Sequence, residues 1–185
     1  MTLKSNRSAL IVKYLGAEHA EIRKKHKKLD NILTNFRYEG KSSLDKNVKQ
    51  ACEVLVFFRT VVCRHMEVEE KILFPFLEKH VPKLELPIAT FRSEHNDFRE
   101  ILPYFQSLLR RVIIEQEHTW ISRGIIDDII DTGLYINYLL IQHLHTENET
   151  IYEAIKHVLN DDEKEVLWKR IEQVKQPERL TELHI

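Results

Sequence analysis

Apolar residues recur every third or fourth position through four long stretches of this chain, the period of an amphipathic helix. The first stripe reads Leu15, His19, Ile22, His26, Leu29, Leu33 and Phe36, and predicts a helix over about residues 7–36. The polar run from Tyr38 to Ser43, which includes Gly40, ends it. A second helix is predicted over about 44–79, with Ala51, Leu55, Phe58, Val62, His65, Glu69, Leu73 and Phe76 on its stripe. Pro82 and Pro87 bracket a loop, and a third helix over about 88–115 carries Phe91, His95, Phe98, Leu102, Phe105 and Leu109. The fourth, over about 121–159, shows Ile126, Ile129, Gly133, Ile136, Leu140, His143, Glu147, Ile151 and Val158.

Asn160 or Asp161 reads as the N-cap of a last helix over about 161–176, which Pro177 stops. Pro75 and Pro103 fall inside helical stretches and should kink them. Only four glycines and five prolines punctuate the chain, too few turns for an all-β fold. The expected fold is all-α: an up-down-up-down four-helix bundle over about 7–159, with a short extra C-terminal helix packed outside. A single domain is expected across residues 1–185.

Composition narrows the partners. A net charge of −1 gives no reason to expect a nucleic-acid partner. The basic run from Arg23 to Lys28 reads as a solvated helix face, because Ile22 and Leu29 carry the apolar stripe through it. No apolar run approaches 18 residues, so no membrane span is expected, and the N-terminus lacks a signal-peptide pattern. Cys52 and Cys63, about 16 Å apart along one helix, are too distant for a disulfide. Reduced thiols without an export signal point to the cytoplasm. An outer strip with Val56 and Cys63 reads as packing for the C-terminal helix, or as a partner surface.

The chemistry lies in polar residues that interrupt the apolar stripes. His65/Glu69 and His143/Glu147 each place an imidazole and a carboxylate four residues apart on one helix face. Buried carboxylates are costly unless paired or bound to a cation. His19 and His65 stand 22 and 24 residues from the first break, centred near Lys41, and His95 and His143 stand 23 and 25 from the third, near His118. In antiparallel neighbours each pair falls within about 3 Å of equal height. Six groups, His19, His65, Glu69, His95, His143 and Glu147, are thus expected to meet in one layer and ligate metal. A carboxylate bridging from each motif suits two divalent ions about 3.5–4 Å apart. The mixed donor set admits iron, manganese or zinc. His145/Glu149 lies on the opposite face and reads as surface, and His26 lies about 15 Å off level.

The Glu-His of AEHAEIRKK, with HMEVEEKILFPFLE, SEHNDFREI and HLHTENETIY, resembles the hemerythrin-like (HHE cation-binding) family over about residues 15–159. The resemblance implies a four-helix bundle enclosing a non-haem di-iron centre. It implies that His19 and His65 ligate one iron, His95 and His143 the other, and that Glu69 and Glu147 bridge them. Oxygen-carrying hemerythrins have a second histidine one turn after the third-helix histidine, where this chain has Arg99. Six protein ligands instead of seven leave more positions for exogenous molecules.

The resulting expectation is a di-iron protein that binds or senses oxygen or another small oxidant, nitric oxide or peroxide, at an open site. Two alternatives stay open. One is an enzyme of nitric oxide or peroxide handling or of iron–sulfur repair, served by a redox partner. The other is an iron-dependent regulatory module with a protein partner.

Overall fold

Long runs of strong helix formers with few glycines let this chain build nearly all of its structure from helices that bury one face each. In the computed structural model, residues 7–39, 41–116 and 123–175 are described. Helix α1 spans Arg7–Tyr38. Helix α2 covers residues 44–80 and is not uniform: π-helical turns at Phe58–Val62 and Glu69–Leu73 separate the α-helical pieces Leu44–Phe57, Cys63–Val68 and Phe74–His80. The residues at these junctions keep helical dihedrals, so α2 runs on as one rod. Helix α3 is Glu85–Gln116. Helix α4 covers residues 123–157, with a π-helical turn at Asn148–Tyr152, and α5 is Asp161–Lys175.

Several boundaries differ from the sequence reading, each for a local reason. Helix α3 begins at Glu85, and Pro87 sits in its first turn, where no intrahelical donor is needed. The break before it falls at Val81 (φ −135°, ψ 70°), since the residue ahead of Pro82 is steered out of the α region. Pro75 lies where the π turn at Glu69–Leu73 has already interrupted the regular ladder, and α3 continues through Pro103. Val158 is 45% exposed because α4 stops at His157. Of the two N-cap candidates the structure uses Asn160. Its Oδ1 accepts from the Glu163 amide at 2.9 Å, while Glu163 Oε2 accepts from the Asn160 amide at 2.8 Å. This reciprocal box satisfies two otherwise orphaned donors.

The core is divided in two. A larger cluster joins Ile22–Phe36 of α1 to Leu44–Met66 of α2, Phe98–Val112 of α3 and Ile125–Leu144 of α4. A smaller one joins Ile11 and Leu15 to Leu73–Leu77, Ile88, Phe91 and Ile151–Ile155, with Leu167, Trp168 and Ile171 of α5. Late α1 thus meets early α2, and late α3 meets early α4, as antiparallel neighbours do. The polar layer lies between the two clusters, with Leu15 and Ile22 flanking His19, and Phe91 and Phe98 flanking His95.

Helix α5 closes the end of the smaller cluster, held also by Arg7 Nε to Glu165 at 2.6 Å and by His80 Nδ1 to Glu163 at 2.9 Å. It therefore does not cover Val56, which is 61% exposed. Cys52 and Cys63 are free thiols packed against the larger cluster. Among the described residues no helix is long and apolar enough to cross a membrane.

Candidate metal centre

Each bundle helix delivers its polar residue to the layer because that residue occupies a core position of the apolar stripe. His19, His65, Glu69, His95, His143 and Glu147 are all between 0 and 4% exposed. Two groupings result, His19–His65–Glu69–Glu147 and Glu69–His95–His143, with donor atoms in each within 4.8 Å of one another. Glu69 belongs to both. Its Oε1 lies 2.9 Å from His65 Nε2 and its Oε2 lies 3.3 Å from His95 Nε2. Glu147 Oε2 stands 3.0 Å from His19 Nε2 and 3.9 Å from His143 Nε2.

The tautomers follow from the groups behind the rings. His65 Nδ1 donates to Glu18 at 2.8 Å, His95 Nδ1 to Glu70 at 2.7 Å, and His143 Nδ1 to Glu94 at 2.8 Å. A carboxylate only accepts, so Nδ1 carries the proton and a neutral ring presents a lone pair at Nε2. The Nε2 atoms of His95 and His143 nevertheless face each other at 3.3 Å, and those of His19 and His65 at 3.1 Å. Two lone pairs at that distance repel unless a cation or a proton lies between them.

The residues fit bound metal on two counts. All four oxygens of Glu69 and Glu147 lack an aligned hydrogen-bond donor among the described residues, although they are buried. Such atoms carry a penalty of about 1–3 kcal/mol each, more when charged, unless a cation satisfies them. The separations also match: adjacent donors on an octahedral ion at about 2.1 Å stand about 3.0 Å apart. Carboxylates behind metal-facing imidazoles are the usual outer partners of such ligands.

Without metal, protons take the place of cations. Burial, then the charge of Glu69, pushes Glu147 up to about 7, against the lowering effect of His19. Burial alone would raise Glu69, but His65 and polar contacts from His65 and His95 hold it well below the usual carboxylate range. Burial would lower His65, yet the Glu69 charge and the contact with Glu18 raise it well above its ordinary value.

Three aromatic rings wall the site. Phe91 meets His143 edge-on at 5.1 Å between centroids, and Phe74 stacks on His95 at 5.7 Å. Tyr152 stacks on His19 at 5.2 Å with planes 18° apart, and its Oη is 3.1 Å from both ring nitrogens. That equidistance puts the hydroxyl over the face of the imidazole. Burial, then the charges of Glu147 and Glu69, pushes this phenol up, so it stays protonated. Phe58, Val62, Phe98, Ile136 and Leu140 are buried in the larger core cluster.

Other residues fall elsewhere. Arg99 Nη1 bonds Glu70 Oε1 at 2.9 Å, on the outer side of His95. His26 is half-buried and outside both groupings, and His145 and Glu149 pair on the surface, 65% and 67% exposed. His118 and His184 lie outside the described residues. Sequence reading missed Glu18, Glu94, Glu70 and Tyr152 as neighbours of the site. A signal existed for two of them: the dipeptide Glu-His precedes both α1 and α3 ligand positions, as Glu18-His19 and Glu94-His95.

A helical bundle with an imidazole–carboxylate layer buried between two cores defines a cation-binding protein. The hemerythrin HHE cation-binding domain matches residues 10–155, and the chain belongs to that family. Comparisons with curated proteins and with solved structures gave no match.

Proposed function

We propose that this chain holds two non-haem iron ions and binds or senses oxygen, nitric oxide or peroxide there. The observation that carries the reading is the stance of Glu69, with one oxygen toward His65 and the other toward the His95–His143 pair. Glu147, from the opposite helix, lies between His19 and His143, with its Oε2 3.0 Å from the first and 3.9 Å from the second. In this reading His19 and His65 hold one ion, His95 and His143 the other, and the two glutamates bridge. Iron at such a site supplies reversible one-electron chemistry and open coordination positions for a small molecule.

The protein's own part is to orient and to exclude water. Glu18, Glu70 and Glu94 fix the Nδ1 protons, so that Nε2 of each ring stays free to ligate. Arg99 neutralises the charge of Glu70. The Phe74, Phe91 and Tyr152 rings keep bulk water from the layer, and the Tyr152 hydroxyl lies over the face of the His19 imidazole. Optical spectra of the reduced, iron-loaded protein before and after admitting oxygen test the reading, followed by assays of nitric oxide and peroxide consumption. Reversible spectral change without turnover is the expected result. Steady consumption would favour the enzyme instead, and no response to any of the three would contradict the proposal.

A further inference from the structure

The site is built twice. Counting from its histidines, α1 matches α3 and α2 matches α4: Glu18-His19 with Glu94-His95, and His65 and Glu69 with His143 and Glu147. Nine residues beyond His65 comes Phe74, which stacks on His95; nine beyond His143 comes Tyr152, which stacks on His19. The two halves differ three residues ahead of the α1 and α3 histidines. There α3 has Arg92 and α1 has Gly16.

That difference closes one side and opens the other. The Arg92 guanidinium lies over the Phe74 ring, 5.4 Å from its centroid, and reaches both oxygens of Glu78 at 3.3 and 3.4 Å. It roofs the ring that covers His95. At Gly16 a Cβ would meet nothing within 4 Å. A groove of about 570 Å³ runs there between α1 and α4, lined by Val12, Gly16, Asn148, Glu149, Tyr152 and Lys156. Its floor is Tyr152, whose hydroxyl touches His19. A second groove, of about 470 Å³, ends behind His65, on the side where Glu18 already takes the Nδ1 proton. It meets the back of a ring and not the metal-facing nitrogen.

We propose that the α1–α4 groove is the entrance by which small ligands reach the metal layer, with Gly16 holding it open and Tyr152 as its gate. Tyr152 both lines the groove and stacks on His19, so rotation of that one ring would uncover the layer without moving a helix. The Asn148–Tyr152 segment is a π-helical turn, a feature that recurs at functional sites where helix packing is locally relaxed. The groove admits diatomic and triatomic molecules. This inference rests on the proposed function, since it presumes a ligand that needs access.

The test compares wild type with Gly16→Leu, which fills the groove, and Arg92→Ala, which unroofs the opposite side. Azide binding to the iron-loaded proteins is followed by stopped-flow absorbance. In Gly16→Leu, association and dissociation rates should both fall about tenfold, with the equilibrium constant and iron content unchanged, as befits a route. Arg92→Ala should leave the rates as in wild type. Unchanged rates in Gly16→Leu, or acceleration in Arg92→Ala, would overturn the proposal. A metal-free arm separates this from the parent reading: xenon titration of the chelated protein, followed by amide NMR. Shifts should centre on Val12, Gly16 and Tyr152 and vanish in Gly16→Leu. Xenon shifts elsewhere overturn the entrance even if iron binds. An azide-silent protein with the expected xenon shifts contradicts the iron reading and leaves the groove standing.

Discussion

Arg99 donates through Nη1 to Oε1 of Glu70 at 2.9 Å, the same oxygen that accepts from His95 Nδ1 at 2.7 Å. The arginine thus acts on the metal layer through a carboxylate, from a partly exposed position on the outer side of α3. Replacing it with alanine leaves Glu70 without its neutralising partner and loosens the hold on His95. Metal affinity, measured by chelator competition, should weaken about tenfold. Stoichiometry should stay the same. Loss of a whole metal equivalent in Arg99→Ala would show that Arg99 has a more direct role.

His26 and His19 both lie on the inward stripe of α1, and only His19 joins the layer. A His26→Ala variant should therefore keep the full metal content of wild type by elemental analysis. His65→Ala should not. A metal deficit in His26→Ala would move the α1 ligand to a position the geometry does not support.

Stability of the metal-free protein should fall as pH rises. With Glu147 pushed up to about 7 by burial and by Glu69, the folded chain keeps a proton that the unfolded chain, near 4.5, has released. Between those values the folded state binds more protons, so its stability declines with pH. The shift corresponds to about 3 kcal/mol. His65 acts in the same sense. Its contribution is complete below 6.5 and is lost as pH passes its raised folded value. Glu69, already ionised well below 4.5, contributes evenly across this range. Metal displaces these protons, so loading reverses the trend. The melting-temperature gap between loaded and chelated protein should widen from pH 6 to pH 8. A gap that narrows would contradict the assignment of these groups.

Asn160→Ala removes one half of the capping box with Glu163 and should cost about 1 kcal/mol. Because α5 seals the smaller core through Leu167, Trp168 and Ile171, the loss should appear as faster hydrogen exchange in α5. Exchange that is equally fast in every helix would mean that α5 does not open separately.

Much of this was legible in the chain because the ligand positions obey the same rule as the core. His19, His65, His95 and His143 sit on apolar stripes, so the period that predicts helices also aims these residues inward. The counting from the first and third turns then set His19 level with His65, and His95 level with His143. The π-helical turns were not legible: one extra residue in a turn leaves the spacing of Glu69 and Leu73 looking α-helical. Glu18, Glu70 and Glu94 are partly exposed and fall among other surface charges, so their hold on the rings shows only in three dimensions. Tyr152 reads from sequence as one more large residue near the stripe. Its role depends on the stack against His19, 133 residues away. Gly16 was likewise silent, since a missing side chain matters only beside the cavity it leaves.

The most direct test of the central claim is the iron content of protein purified from iron-replete cells, set beside that of a Glu69→Ala variant. Two irons per chain are expected in wild type and fewer than two in the variant, with folding checked by circular dichroism. One iron or none in well-folded wild type, or two retained without Glu69, would contradict the account.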